Sequence, residues 1–140
     1  MSAKVFVDTN ILLYAYDFES RAKHDTSKRV LKDLWRQSAG ALSMQVLQEF
    51  YFNVTRKIAV PLPRIEARAV VENYSDWCVA TTPQEIERAF RIEDEAGINF
   101  WDAMIVAAAI RAGATRILSE DLNHGQTIAG VRIENPFAAA

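Results

Sequence analysis

Eight consecutive residues, Ala103-Met104-Ile105-Val106-Ala107-Ala108-Ala109-Ile110, are apolar without a break. Asn99-Phe100-Trp101-Asp102 stands before them like a capping box with Asp in place of Glu, and Gly113 comes after them as a stop. The stretch therefore predicts a helix that is apolar nearly all round. Such a helix has no face to give to water, so other elements must enclose it at a domain centre. It is also far short of the ~20 residues needed to cross a membrane.

The enclosing elements can be read from the rest of the chain. Val5-Phe6-Val7 is a short apolar run with two β-branched residues and predicts a buried strand ending at Asp8. Ala41-Leu42-Ser43, Trp77-Cys78-Val79-Ala80 and Thr115-Arg116-Ile117-Leu118-Ser119 predict three more. Val131-Arg132-Ile133 predicts a final strand at a sheet edge. Helical patterns lie between the strands. Ile11–Tyr16 is the first. Arg21–Gln37 is the second, with Ala22, Thr26, Val30 and Leu34 on its apolar face beside Leu31 and Trp35, and Gly40 as its end.

Met44–Ile58 buries Leu47, Phe50, Tyr51, Val54 and Ile58, and Arg64–Asp76 buries Ala67, Val70, Val71 and Tyr74. Pro61 and Pro63 mark the loop between them. Thr82-Pro83-Gln84-Glu85 is a capping box that opens a helix through Ile86, Ala89 and Phe90 to Gly97. Leu122–Gln126 reads as a turn-rich loop, and Ala138-Ala139-Ala140 as a frayed tail. This alternation predicts an α/β fold, with a mostly parallel sheet covered by helices on both faces. Residues 1–140 are long enough for one domain with its own core.

Half the residues are hydrophobic and a quarter are charged, as in soluble globular proteins. The first strand begins after Lys4, with no signal-peptide pattern before it. The single Cys78 excludes an internal disulfide and fits a reducing cytoplasm. His24 and His124 lack a Cys/His ligand spacing, which argues against zinc. A formal net charge of -2 gives no general attraction to a polyanion, so any such partner must meet locally clustered bases. Arg21, Lys23, Lys28, Arg29, Lys32 and Arg36 share one helix face. That face is either simply solvated or a phosphate-contacting flank.

Four acids fall where chemistry is expected in such an architecture. Ligands of open α/β sheets bind beyond the carboxyl ends of the strands. Asp8 and Asp121 come just after two strands; Asp102 lies in the first turn of the buried helix; Glu49 lies early in another helix, in line with Gln45 and Asn53. Each has an ordinary explanation. Asp8, Thr9 or Asn10 can cap the first helix, Asp102 can favour its own helix N-terminus by ~0.3–1 kcal/mol, and Glu49 can be solvated. Together they predict one pocket. Two ionised carboxylates ~4 Å apart repel by ~4 kcal/mol at an effective dielectric near 20, so a cluster calls for a cation or shifted pKa values. An all-oxygen ligand set selects Mg²⁺ or Mn²⁺, and such ions suit phosphodiester hydrolysis.

Val5-Phe6-Val7-Asp8-Thr9-Asn10, the isolated Glu49, Phe100-Trp101-Asp102-Ala103 and Ser119-Glu120-Asp121-Leu122 resemble, in order and spacing, the motifs of PIN-domain proteins. Length and His124-Gly125 after the last acid resemble the VapC-type toxins of toxin–antitoxin pairs. The resemblance implies a three-layer α/β/α sandwich and Mg²⁺- or Mn²⁺-dependent cleavage of RNA. It implies Asp8, Glu49, Asp102 and Asp121 as the catalytic, metal-binding acids, with Thr9, Asn10 and Ser119 beside them. It also implies a cognate antitoxin and a homodimer. Phe18, Tyr51, Phe52 and Trp77 are the large aromatics offered for such contacts. Asn123 stands where many relatives carry a further acid, which leaves one metal or two open.

Two other readings compete. An aspartyl phosphatase commonly needs a second acid two residues after the first, and Asn10 occupies that place. A receiver-like or noncatalytic module would use the same acids to hold a structural Mg²⁺.

Overall fold

The computed structural model describes residues 3–138. The chain runs β1 (Lys4–Val7), α1 (Thr9–Tyr14), α2 (Ala22–Gln37), β2 (Gly40–Ser43), α3 (Met44–Val54), α4 (Arg64–Tyr74) and β3 (Cys78–Val79). It continues with α5 (Pro83–Ala96), α6 (Phe100–Arg111), β4 (Ala114–Leu118), β5 (Thr127–Ile128) and β6 (Val131–Glu134). The strands form one sheet in the order β3-β2-β1-β4-β6-β5, parallel throughout except for β5 against β6. Phe6 is opposite Ala41 on one side and Ile117 on the other, so β1 is central and Phe6 and Val7 are fully buried.

The connections explain where a site can form. From β1 the chain steps outward through β2 to β3, then crosses back to place β4 on the other side of β1. Right-handed crossovers put the helices of the two directions on opposite faces, giving three α/β/α layers. The contacts agree: α1 packs on α2 and α3, and α3 on α4, whereas α5 pairs with α6. The reversal leaves a crevice beyond the carboxyl ends of β1 and β4.

α6 is the enclosed helix that its composition requires. It lies over β2, β4 and β6, and Ala103, Val106, Ala107 and Ala109 have no exposed surface. Its small alanines allow α5 and the sheet to approach closely, while Ile105 and Val106 supply bulk; each such aliphatic contributes ~1.5–3 kcal/mol on burial. At α5, the Thr82 N–H donates to Glu85 Oε2 at 2.7 Å, and Gly97 closes the helix with φ 67°.

Several expectations need correction. β6 is not an edge strand: it pairs with β4, and the short β5, unseen in the sequence, folds back to cover its free side. Ile133 is accordingly fully buried. The helix starting at Met44 ends at Val54 rather than Ile58, and the strand expected over Trp77–Ala80 shrinks to Cys78–Val79. α2 ends at Ser38 in the left-handed conformation, φ 53°, not at Gly40. Gly40 instead begins β2, and a Cβ there would stand 2.6 Å from the Trp77 indole. That indole is buried against Trp35 and Tyr74, so Trp77 is core and not a partner-binding aromatic.

The buried row of α2 is His24, Ser27, Leu31 and Leu34, rotated from the expected Ala22–Thr26–Val30 stripe. His24 Nδ1 lies 2.9 Å from the Tyr14 carbonyl and its ring meets Phe18. In α5, Ile86 and Phe90 are exposed, and Glu85, Ala89 and Ile92 face inward. Of the tail expected to fray, Ala139 and Ala140 lie outside the described residues, while the Ala138 N–H donates to the Asn135 carbonyl.

Candidate active site

Asp8 is the first residue past β1, and its backbone N–H still bonds to Leu118 O of β4. The strand therefore delivers its side chain to the sheet's carboxyl edge while the ladder holds its main chain. Oδ1 accepts the Thr9 N–H at 2.8 Å, so Asp8 is also the N-cap of α1. Oδ2 accepts the Ser119 hydroxyl at 2.7 Å. The capping role and the site role thus coexist on one side chain. Ser119 has no exposed surface and also accepts the N–H groups of Asp121 and Leu122 at 3.2 and 3.4 Å.

The other acids arrive from separate segments. Thr9 Oγ1 donates to Glu49 Oε1 at 2.8 Å, tying α1 to α3. Asn10 holds the turn after β4 with both ends of its amide: Nδ2 donates to Asp121 Oδ2 at 3.0 Å and Oδ1 accepts the Glu120 N–H at 3.2 Å. Asn99 Nδ2 donates to Asp102 Oδ2 at 2.8 Å, while Asn99 Oδ1 accepts the Asp102 N–H at 2.9 Å; Asn99 is thus the N-cap of α6 as expected, but the Asp102 carboxylate returns to the Asn99 side chain rather than to its backbone N–H as a capping box would. Asp8, Glu49, Asp102 and Asp121 line one cavity of about 240 Å³ with Thr9, Asn10, Leu13, Gln45, Asn53, Trp101 and Ile105.

Every carboxylate in this cavity takes a hydrogen bond from a neutral side chain, and no Lys, Arg or His lines it. Negative charge is therefore oriented without being neutralised. Burial pushes the Asp8 carboxyl up to about 6; the Ser119 and Thr9 hydrogen bonds oppose this, and the Asp121 and Glu49 charges add to it. Burial also raises Asp102, against the Asn99 hydrogen bond and with the charge of Asp121.

Among the described residues, no three Asp, Glu, His or Cys side chains form a ready-made ligand group. The acids line the cavity rather than converging on one point. Their donor chemistry nevertheless fits a hard divalent cation, because all are oxygens and the excess charge is unmet.

The residue beside Asp121 behaves differently. The Glu120 carboxylate turns away to the Tyr14 hydroxyl at 2.6 Å and to Lys23 Nζ. Burial works against its ionised form, yet the Lys23 and Tyr14 hydrogen bonds bring its pKa below the ordinary value. Sequence reasoning missed Tyr14, Asn99 and this clamp. Asn99 was legible only as a cap, and the adjacency of Glu120 to Asp121 was the sole signal for the clamp. Lys23, assigned to the basic flank, is drawn into it, while Lys28, Arg29, Lys32 and Arg36 remain exposed on α2. Phe18 and Phe52 are exposed and Tyr51 is half-buried.

The fold and the cavity define a doubly wound α/β protein with an acidic pocket at its switch point. The family model of the PIN domain matches residues 5–127, and the chain belongs to the PIN domain family. That span includes all four acids. Solved structures share the fold. DNA-bound VapBC from Salmonella typhimurium aligns with TM-score 0.68 and 20% identity over 96% of this chain and 99% of that one. A toxin–antitoxin complex from Klebsiella pneumoniae gives 0.68 and 18% over 99% and 100%. VapC20 from Mycobacterium tuberculosis, a toxin that cleaves the sarcin–ricin loop, gives 0.62 and 20% over 84% and 92%. Comparison with curated proteins found no match. Among the described residues, no helix is long and apolar enough to cross a membrane.

Proposed function

We propose that this chain is a Mg²⁺- or Mn²⁺-dependent endoribonuclease and the toxin of a toxin–antitoxin pair, with residues 1–140 acting as one nuclease domain in the cytoplasm. The observation that carries this reading is the meeting of Asp8, Glu49, Asp102 and Asp121, from four distant parts of the chain, around a cavity without a basic side chain. Membership of the PIN domain family supports it, as does likeness to VapBC complexes and to a toxin that cleaves the sarcin–ricin loop.

Asp8 and Asp102 would be the principal ligands of the ion, with Glu49 and Asp121 completing the acidic wall. When bound, the ion would polarise the phosphodiester and favour ionised water near neutral pH. The protein's own part is orientation. Ser119 and the Thr9 N–H hold Asp8 in one rotamer, Asn99 aims Asp102 from the first turn of α6, and Asn10 keeps Asp121 at the rim. Fixed carboxylates avoid reorganisation during the reaction, which is where enzymes gain most from electrostatics. The partners that accompany this reading are RNA, a cognate antitoxin and a second copy of the chain.

Incubation of the purified protein with total cellular RNA tests the proposal. Cleavage should require Mg²⁺ or Mn²⁺, stop in excess chelator and vanish in Asp8→Asn. Cleavage that persists in chelator, or full activity in Asp8→Asn, overturns the metal-dependent reading. Trapping of a phosphoaspartate at Asp8, without RNA cleavage, would favour a receiver-like module.

A further inference from the structure

Trp101 immediately precedes Asp102 in α6, and its side chain is 64% exposed. The exposure is not that of a loose side chain at a loop tip. Its backbone carbonyl accepts Gln45 Nε2 at 3.3 Å, and its ring meets Phe100 nearly edge-on, with centroids 5.1 Å apart. Phe100 in turn leans on Phe90. The indole thus meets one ring, Phe100, which itself packs on Phe90, and most of the residue's surface is in water.

Trp101 is one of the residues lining the acidic cavity, together with Asp8 and Asp102. The amides of Gln45 and Asn53 line the same cavity from α3. An exposed aromatic face, two amides and an acidic pocket match the face and edge of a base and the phosphate beside it. Indole faces stack on bases, amides bond to base edges, and the acids serve the phosphate through a cation. The indole-bearing residue and the carboxylates line one cavity. One strand of RNA can use both at once.

We propose that Trp101 is the stacking platform for one unpaired nucleobase next to the cleaved bond. This rests on the ribonuclease reading above. A base within an A-form helix is already stacked on both faces and has none to offer, whereas an unpaired base can be splayed onto the indole. Phe100, which packs on Phe90, is the ring the platform meets, and Gln45 and Asn53 read the edge of the stacked base.

Binding of a short single-stranded oligoribonucleotide in Mg²⁺, measured in the Asp8→Asn background to prevent cleavage, tests the platform. Adding Trp101→Ala should weaken binding about tenfold, within the range of one lost base–aromatic stack. Trp101→Phe should restore most of the affinity. An abasic substitution at the stacked position should weaken binding to the Trp101 protein and leave the Ala variant unchanged. Equal affinity with and without Trp101, or a loss of the same size for a fully paired duplex, overturns the proposal. So does sedimentation showing that Trp101→Ala only dissociates two copies, because the residue would then be an interface contact. Cleavage of the same oligonucleotide by the wild-type chain separates the two ideas. Cleavage with Trp101-independent binding removes the platform alone; absence of cleavage under any metal removes the nuclease reading and, with it, the platform's place beside a cleaved bond, even where binding depends on Trp101.

Discussion

The Ser119 hydroxyl donates to Asp8 Oδ2 at 2.7 Å and accepts the N–H groups of Asp121 and Leu122. One buried side chain thereby joins the end of β1 to the turn after β4. It fixes one acid directly and a second through its backbone.

Ser119→Ala should therefore do more than remove one bond. It leaves a buried carboxylate short of a donor and two N–H groups short of an acceptor, a loss of about 1–3 kcal/mol. RNA cleavage should fall with it, because Asp8 and Asp121 each lose one of the contacts that orient them. Denaturant unfolding and cleavage assays on the same preparation check both effects.

Asp8→Asn should separate stability from activity. The amide removes a buried negative charge from beside Asp121 and Glu49, so the metal-free protein should melt higher than wild type while cleavage is lost. Asp102→Asn should behave similarly from α6. Mg²⁺ or Mn²⁺ should raise the wild-type melting temperature through binding to the folded state, and that rise should shrink in both variants. Differential scanning calorimetry with and without metal measures it.

Glu85 gives a pH dependence away from the cavity. Hydrogen bonds from the Thr82 side chain and backbone hold its carboxyl below the ordinary 4.5, with Arg111 adding to the effect. A depressed folded-state pKa contributes stability above the unfolded value and loses it as pH falls through the folded one. The stability gap between wild type and Glu85→Gln should thus be full near neutral pH and close on acidification below about 4.5. Urea unfolding at a series of pH values would show it; a gap that grows in acid would contradict the assignment.

Gly40→Ala should be destabilising although its backbone conformation suits alanine. The added methyl would sit 2.6 Å from the Trp77 ring, in a packed stack with Trp35 and Tyr74. Overpacking of this kind costs about 1–3 kcal/mol. Trp77→Leu should recover part of the loss in the double variant, and a double-mutant cycle would read that coupling.

Charge reversal at Lys28 and Arg29 should weaken RNA binding and flatten its salt dependence, without changing the metal-induced rise in melting temperature. Unchanged RNA affinity would return the α2 face to simple solvation.

Much of the architecture was already written in local patterns. The apolar run of α6, its Asn99–Asp102 cap and the Glu85 return to Thr82 involve residues a few positions apart, so chain-neighbour geometry settles them. Gln45, Glu49 and Asn53 were readable as one helix row for the same reason, and they do line one cavity. Strand–helix alternation foretold a mostly parallel sheet with four acids at its carboxyl side.

Other features depended on which distant segment came to lie alongside. Val131–Glu134 has an ordinary strand sequence; its interior place comes from pairing with β4 on one side and β5 on the other. Trp77 is core because it lies over Gly40, and α2 is rotated so that His24 and Ser27 face inward. Glu120 and Asp121 are adjacent acids with no local reason to differ. Tyr14 and Lys23 draw one away, and Asn10 holds the other at the cavity. Helix capping acts within a turn of the chain and was set by the sequence alone. Partner choice across more than a hundred residues is a property of packing, and only the folded sheet decided it.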